Sequence, residues 1–351
     1  MNDYRIRRNQ DYADNDKTSE TKSMSYDHKS EAAKLTEVHT IEEYSNKLDS
    51  AIDSGTISNF NSLNASEQGI ENYTRKKRQC DLAMLKTEKY YLENYKENIN
   101  QEHIDRLYSV LDENKLCIYN QENFADKYLY GNQNISVSGL REMSEGKIAI
   151  RDSEYINNLK KTSSHEATHD VSYQLKPEVT HINKQLDNGQ LFSGTYSVFQ
   201  SGIHRVEQQT EIIDGKTVKD VRIDKYRSLN EGLTEAYALE AIKERGDTAP
   251  FNSYSIERGL AEAMRDIVGK EYVDNAYFGG NIDDLIERFN GMSNISNAWE
   301  KFNDSLDRYS DIMYRGHTIK EEKEAYTHIK DAKTILCSLE EPHQYAKELK
   351  Q

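Results

Sequence analysis

His165 and His169 stand four residues apart with Glu166 beside the first, in the run Ser163-Ser164-His165-Glu166-Ala167-Thr168-His169-Asp170. On a helix that spacing puts both imidazoles on one face, where they can converge on a single Zn²⁺. The intervening glutamate then lies near the metal's open position. There it can take a proton from a water whose pKa the cation lowers toward neutrality. The chemistry this predicts is metal-assisted hydrolysis, with one Zn²⁺ per chain and Glu166 as general base. A surface helix carrying two histidines and a glutamate would show the same pattern, so a third ligand has to be sought.

A second acidic pair lies downstream, in Leu229-Asn230-Glu231-Gly232-Leu233-Thr234-Glu235-Ala236-Tyr237. Glu231 and Glu235 are also four apart and share a face if this stretch is helical. An ordinary helix start would favour acidic residues as well, because the dipole welcomes them there. Taken with His-Glu-x-x-His upstream, the pair resembles the gluzincins, zinc peptidases with that motif on one helix and an Asn-Glu start on a second. The resemblance covers His165 to His169 and Asn230 to Glu235, a small part of the chain. It implies a zincin-like fold, Glu231 as the third zinc ligand, and Glu235 as the carboxylate that orients His165 from behind and fixes its tautomer. It also implies a peptide or protein substrate. The spacing departs from the family: residues 170 to 230, sixty-one of them, separate His169 from Glu231. Two other zinc-peptidase patterns fail by inspection. A metzincin would need glycine and histidine where Ser172 and Leu175 stand, and an aspzincin would need aspartate at Val198.

Hydrolysis of a peptide also calls for a donor to the tetrahedral oxyanion. His204 and Tyr226 are the candidates carried forward, with Arg205 and Tyr196 as further candidates between the two ligand helices; each is equally a plain strand residue. His181 reads as a loop histidine. His28, His39, His103, His317, His328 and His343 show no ligand spacing.

These groups need elements to hold them. Ile135–Leu140 and Lys147–Arg151 alternate around a turn at Glu145-Gly146, which predicts a β-hairpin. Asp152-Ser153 then offers an N-cap to a helix through Ile156, Leu159, Ser163, Ala167 and Val171, with the metal at the edge of its packed face. Strands leading into such a helix can hold an extended peptide beside the metal. Pro177 marks the expected stop. Residues 191 to 227 read as β-rich, and Thr210–Ile213, Asp214-Gly215 and Thr217–Ile223 give the strongest hairpin signal in the chain.

The expected organisation is α+β and mostly helical, with a small mixed or antiparallel sheet. Residues 1–62 form a disordered polar tail that could hold a short helix at Ile41–Ile52. Residues 63–130 are a helical lead-in, 131–250 the catalytic core with an inserted β-hairpin, and 251–351 a helical C-terminal subdomain.

Composition narrows the partners. The 351-residue chain is 36% hydrophobic and 30% charged, with a formal net charge of −15, which disfavours general nucleic-acid binding. Arg75-Lys76-Lys77-Arg78 is its one basic run and reads as a solvated helix face. Only three prolines favour helices over loops. Three scattered cysteines give neither a disulfide framework nor a cysteine metal site. No apolar run reaches the ~20 residues a membrane span needs, and no apolar segment follows the first arginines as a secretory signal would require. A cytoplasmic location is the default, with export by a signal-less route open. No glycine-rich phosphate loop follows a strand. The competing functions are a non-catalytic helical scaffold and a peptidase effector acting on a foreign protein.

Overall fold

The computed structural model describes residues 40–54, 67–99, 104, 116–131, 137–141, 147–186, 188–248, 253–314 and 317–339. The chain is α+β, as expected, with ten helices and two small sheets among these residues. Of the expected polar tail, residues 1–39 and 55–62 lie outside them. The short helix is present as α1 (Ile41–Ser54), and Tyr44 and Leu48 are its buried anchors. The Tyr44 hydroxyl donates to the buried Glu88 carboxylate at 2.5 Å, which fixes α1 to α2 (Glu67–Asn94).

The lead-in region is not wholly helical. After α2 the chain enters β1 (Leu116–Tyr119) and a short helix α3 (Gln121–Tyr128) capped by the Asn120 side chain. Of the expected hairpin, β2 (Gly139–Arg141) and β3 (Ile148–Arg151) pair antiparallel, while its turn at Glu145-Gly146 and its start at Ile135 lie outside the described residues. β1 pairs parallel to β3, so the sheet is mixed, in the order β1-β3-β2. Leu116-Cys117-Ile118-Tyr119 is too short a run for periodicity to separate strand from helix, which is why it escaped the sequence reading. The basic run is only partly solvated. Lys77 is buried against Asp81 at 2.5 Å, and Lys76 reaches Asp152 at 2.6 Å.

Helix α4 (Ile156–Val171) carries the His-Glu-x-x-His motif. One expectation needs correction here. Asp152 is engaged with Lys76 and does not cap; the N-cap position is Tyr155, without a side-chain hydrogen bond. The competing alternative, a plain surface helix, does not hold for α4. From Lys161 to Thr168 every residue is buried and His169 is partly exposed, so the motif is largely enclosed, packed by α2, by β2 and β3, and by the helix that begins at Arg227.

Beyond α4 the inserted segment is larger than a hairpin. Strands β4 (Gln174–Gln185), β5 (Leu191–Ser201), β6 (His204–Ile213) and β7 (Lys216–Lys225) form a four-stranded antiparallel meander. Pro177 follows α4, which ends before it at Val171. It lies in β4, an edge strand, within the register shift between Leu175 and Glu178, where a residue without an N–H is tolerated. The β6–β7 turn is as read from sequence: Asp214 and Gly215 have φ of 49° and 78°, the paired left-handed conformation a two-residue hairpin requires.

The remaining chain is helical: α5 (Arg227–Glu244), α6 (Ser255–Val268), α7 (Lys270–Gly279), α8 (Ile282–Met292), α9 (Ala298–Tyr314) and α10 (Ile319–Cys337). These helices bury the main core, which runs from Leu233 and Tyr237 on α5 through Tyr277, Phe278, Phe289 and Trp299 to Ile335 and Leu336. The chain beyond α10 falls, from residue 340, outside the described residues. Among the described residues no helix is long and apolar enough to cross a membrane.

Candidate metal centre

Helices α4 and α5 pack against each other and bring both acidic and histidine pairs together. His165, His169 and Glu231 each offer a ligand atom, all within 4.8 Å of one another. His165 Nε2 lies 3.3 Å and His169 Nε2 3.4 Å from Glu231 Oε2. A tetrahedral zinc with ligands at about 2.0–2.1 Å has ligand-to-ligand edges of about 3.3–3.4 Å. Two edges of the triangle therefore match the span of a metal rather than the shorter usual N–H···O bond. The donor set, two imidazoles and a carboxylate, is one that zinc accepts.

The other ring nitrogens face protein groups. His165 Nδ1 lies 3.1 Å from Glu235 Oε2, and His169 Nδ1 lies 3.4 Å from Thr234 Oγ1. Nε2 of each ring is thus the atom left toward the cluster, as a metal-binding histidine with an oriented outer side requires. Burial opposes a charge on His165, but bonds to Glu231 and Glu235 outweigh it and raise this ring to about 10. Glu231 itself is held well below the ordinary carboxylate range: burial pushes it up, and the two histidines overcome that.

Glu166 is 5% exposed, and burial, partly countered by the histidines, pushes its carboxyl up. It sits directly beside β2. A Cβ added to Gly139 would lie 3.0 Å from Glu166 Oε1 and 2.5 Å from a Thr162 methyl carbon. Only a glycine lets the strand come this close. The strand is held in place by Arg141, whose guanidinium pairs with the fully buried Asp170 at 2.9 Å and donates to Gln174 Oε1 at 3.2 Å. Gln174 in turn donates to the His169 carbonyl at 2.8 Å.

The Asn-Glu start has a structural reason. Asn230 accepts the Ile203 N–H at 3.0 Å, clamping the β5–β6 turn to the beginning of α5. Thr234 donates to the Asn230 carbonyl at 2.8 Å and bonds the Tyr277 hydroxyl at 2.7 Å, which ties the face of α5 to α7.

The two oxyanion candidates are engaged elsewhere. His204 Nε2 lies 3.2 Å from Asp224 across β6 and β7, and Tyr226 donates its hydroxyl to Glu300 at 2.6 Å while its ring packs on Trp299. Neither of these contacts leads to the cluster. Arg205 pairs with Glu207, Tyr196 is a half-exposed strand residue, and His181 is an exposed member of β4, not of a loop. His317 and His328 lie on the C-terminal helical part; His28, His39, His103 and His343 lie outside the described residues.

Sequence reasoning missed three residues. Tyr254 stacks on His165 with centroids 5.7 Å apart and planes 17° from parallel. The Glu231 charge, then burial, holds its hydroxyl well above the usual range. It precedes α6 in a left-handed conformation at φ 49°, and Tyr314 meets its ring edge-on. Nothing in the sequence marks it. Arg141 gave no signal either. Lys161 had one, standing four residues before His165 on the same helix face.

Comparison of the chain with family models, with curated proteins and with solved structures finds no match.

Proposed function

We propose that this protein is a zinc-dependent peptidase of the gluzincin type, with Zn²⁺ held by His165, His169 and Glu231. The supporting observation is the triangle of Nε2, Nε2 and Oε2 atoms, two of whose edges, 3.3 and 3.4 Å, suit a tetrahedral zinc. A bound zinc supplies a Lewis acid that polarises the scissile carbonyl and acidifies water at the site.

The chain's own residues do the rest. Glu166, buried and with its carboxyl raised, takes a proton from the attacking water and returns it to the leaving amine. Glu235 accepts the Nδ1 proton of His165 and so fixes Nε2 as the ligand atom. Tyr254 replaces His204 and Tyr226 as the group best placed to donate to an oxyanion, since its ring lies over His165 and its hydroxyl stays protonated. An extended peptide would add alongside β2, the edge strand of the mixed sheet next to Glu166.

Zinc per chain, by elemental analysis after purification without added metal, tests the site. About one Zn²⁺ in the wild type, lost or weakened in Glu231→Ala, is expected. Glu166→Gln should then keep the metal and abolish cleavage across a peptide library. Absence of zinc in the wild type even after titration would refute the reading and leave a helical scaffold; surviving cleavage in Glu166→Gln would refute the assigned base.

A further inference from the structure

Seven of the twelve large apolar side chains exposed among the described residues belong to the β4–β7 meander. Three of them, Val218, Val221 and Ile223, lie on β7, where every residue from Lys216 to Ile223 is exposed. Val221 shares a cross-sheet row with Gln209 and Tyr196, and Ile223 shares one with Glu207 and Val198. One face of the sheet therefore carries apolar groups out to its edge. The two edges differ. β4 holds Pro177 and a register shift, devices that keep a further strand from adding. β7 holds no proline, and its pairing to β6 is regular from Lys219 to Lys225. Its remaining guard is the charge on Lys219, Asp220 and Arg222. The chain's charge is uneven as well. Residues 174–225 balance seven basic against seven acidic residues, so the formal net charge of −15 is carried outside the meander. Two copies meeting through the meander escape most of the repulsion that their other surfaces impose.

We propose that β7 is a docking edge for a second copy of this chain, the two β7 strands pairing antiparallel about Val221. The inference is independent of the zinc reading. A two-fold axis perpendicular to the joined sheet sets one residue opposite its own copy, and the residues on either side of it opposite each other. Centring the axis on Lys219, Asp220 or Arg222 would bring like charges face to face. Centring it on Ile223 would carry the second strand past Lys225, where β7 has ended and α5 begins. Centring it on Val221 joins the two valines on the apolar face and lays each Lys219 stem beside the other copy's Ile223. On the opposite face, Asp220 of each copy then meets Arg222 of the other, twice. Within one copy Asp220 accepts from Thr210 Oγ1 at 3.2 Å and Arg222 reaches Asp224 at 3.1 Å, so both charges already stand on that face. The charges that guard the edge against other registers thus select this one.

The test is the oligomeric state of the full chain by sedimentation and light scattering, from micromolar to millimolar. One strand pair makes a small interface, so the expected wild type is a dimer that dissociates on dilution. Asp220→Arg and Arg222→Asp each replace two attractive cross-strand pairs per dimer by two repulsive ones, and each should weaken the dimer by about tenfold or more. The double variant restores opposite charges and should return to within about threefold of wild type. A second measurement reads the register directly. In a Cys337→Ser background, Val221→Cys should form a disulfide between copies on mild oxidation, because residues opposite on the axis have Cα atoms about 4.5–5.5 Å apart. Val218→Cys should not, since the two copies of that residue are offset by roughly 20 Å along the strands. All these positions are exposed, and circular dichroism checks each fold. A wild type monomeric throughout, a dimer indifferent to the single reversals, or a double variant no better than the singles would overturn the proposal, as would equal crosslinking at Val218 and Val221.

Discussion

Gly232 follows the proposed ligand Glu231, and the contact it makes is unusually close. A Cβ at this position would lie 2.5 Å from both the backbone carbon and oxygen of Glu257, so α5 and α6 touch backbone to backbone here. Ordinary contact begins near 3.4 Å, so Gly232→Ala must part the helices by roughly 1 Å, and neither side can yield by rotating a side chain. Overpacking of this kind costs about 1–3 kcal/mol, and an unyielding backbone places it near the upper end. Alanine returns about 0.5–1 kcal/mol as the better helix former, which leaves a net loss of about 2 kcal/mol. Gly259 supplies the control. It sits on α6 with nothing within 4 Å of an added Cβ, so the same substitution there should gain about 0.5–1 kcal/mol. Urea unfolding followed by circular dichroism separates the two, with the midpoints of the variants moving in opposite directions. Because Glu231 is the neighbouring residue, Gly232→Ala should also weaken zinc uptake, whereas Gly259→Ala should not. Equal stability of Gly232→Ala and wild type, or equal loss in both variants, would refute the reasoning.

Gly139→Ala pushes a methyl into Thr162 and Glu166, so it should leave zinc content near wild type and lower the rate of any cleavage, by about tenfold or more for a displacement near 1 Å. Retained cleavage would mean that β2 gives way at no cost to Glu166. Glu257 offers a pH test. Burial pushes its carboxyl above the usual range, against hydrogen bonds from Ser310 at 2.6 Å and Tyr314 at 3.4 Å. A raised folded pKa means its contribution is present in full below the unfolded value and is lost as pH rises through the folded one. Glu257→Gln should therefore raise the unfolding temperature at pH 8 and change little at pH 4. A gap that widens toward acid would reverse the assigned sign.

Much of the centre was legible because helix spacing is a local rule. His165 with His169, and Glu231 with Glu235, each needed only a helix to become neighbours, and α4 and α5 supply it. The β6–β7 hairpin was legible for the same reason, since two left-handed residues at Asp214-Gly215 follow from residue type. What failed was non-local. Asp152 looked like a cap until Lys76, distant in sequence, claimed it. His204 and Tyr226 lie between the ligand helices in sequence, yet Asp224 and Glu300 occupy them. Tyr254 is held by packing against His165 and Tyr314, for which a single sequence has no spacing rule.

The long insertion between the candidate ligands was the one departure that could have kept His169 and Glu231 apart, and its anchoring explains why it does not. The meander leaves at Gln174, whose amide donates to the His169 carbonyl, and Gln174 also donates to Ser201 Oγ at the far end of β5. Its β5–β6 turn is clamped by Asn230, and β7 ends at Lys225, one residue before Tyr226 opens α5. Both ends and the middle turn are thus fixed to α4 and α5, while β7 is largely exposed on its outer course. A sheet held only at its root can vary in length without moving that root. The separation of sixty-one residues, 170 to 230, therefore measures the size of the meander and not the distance between His169 and Glu231, which is 3.4 Å.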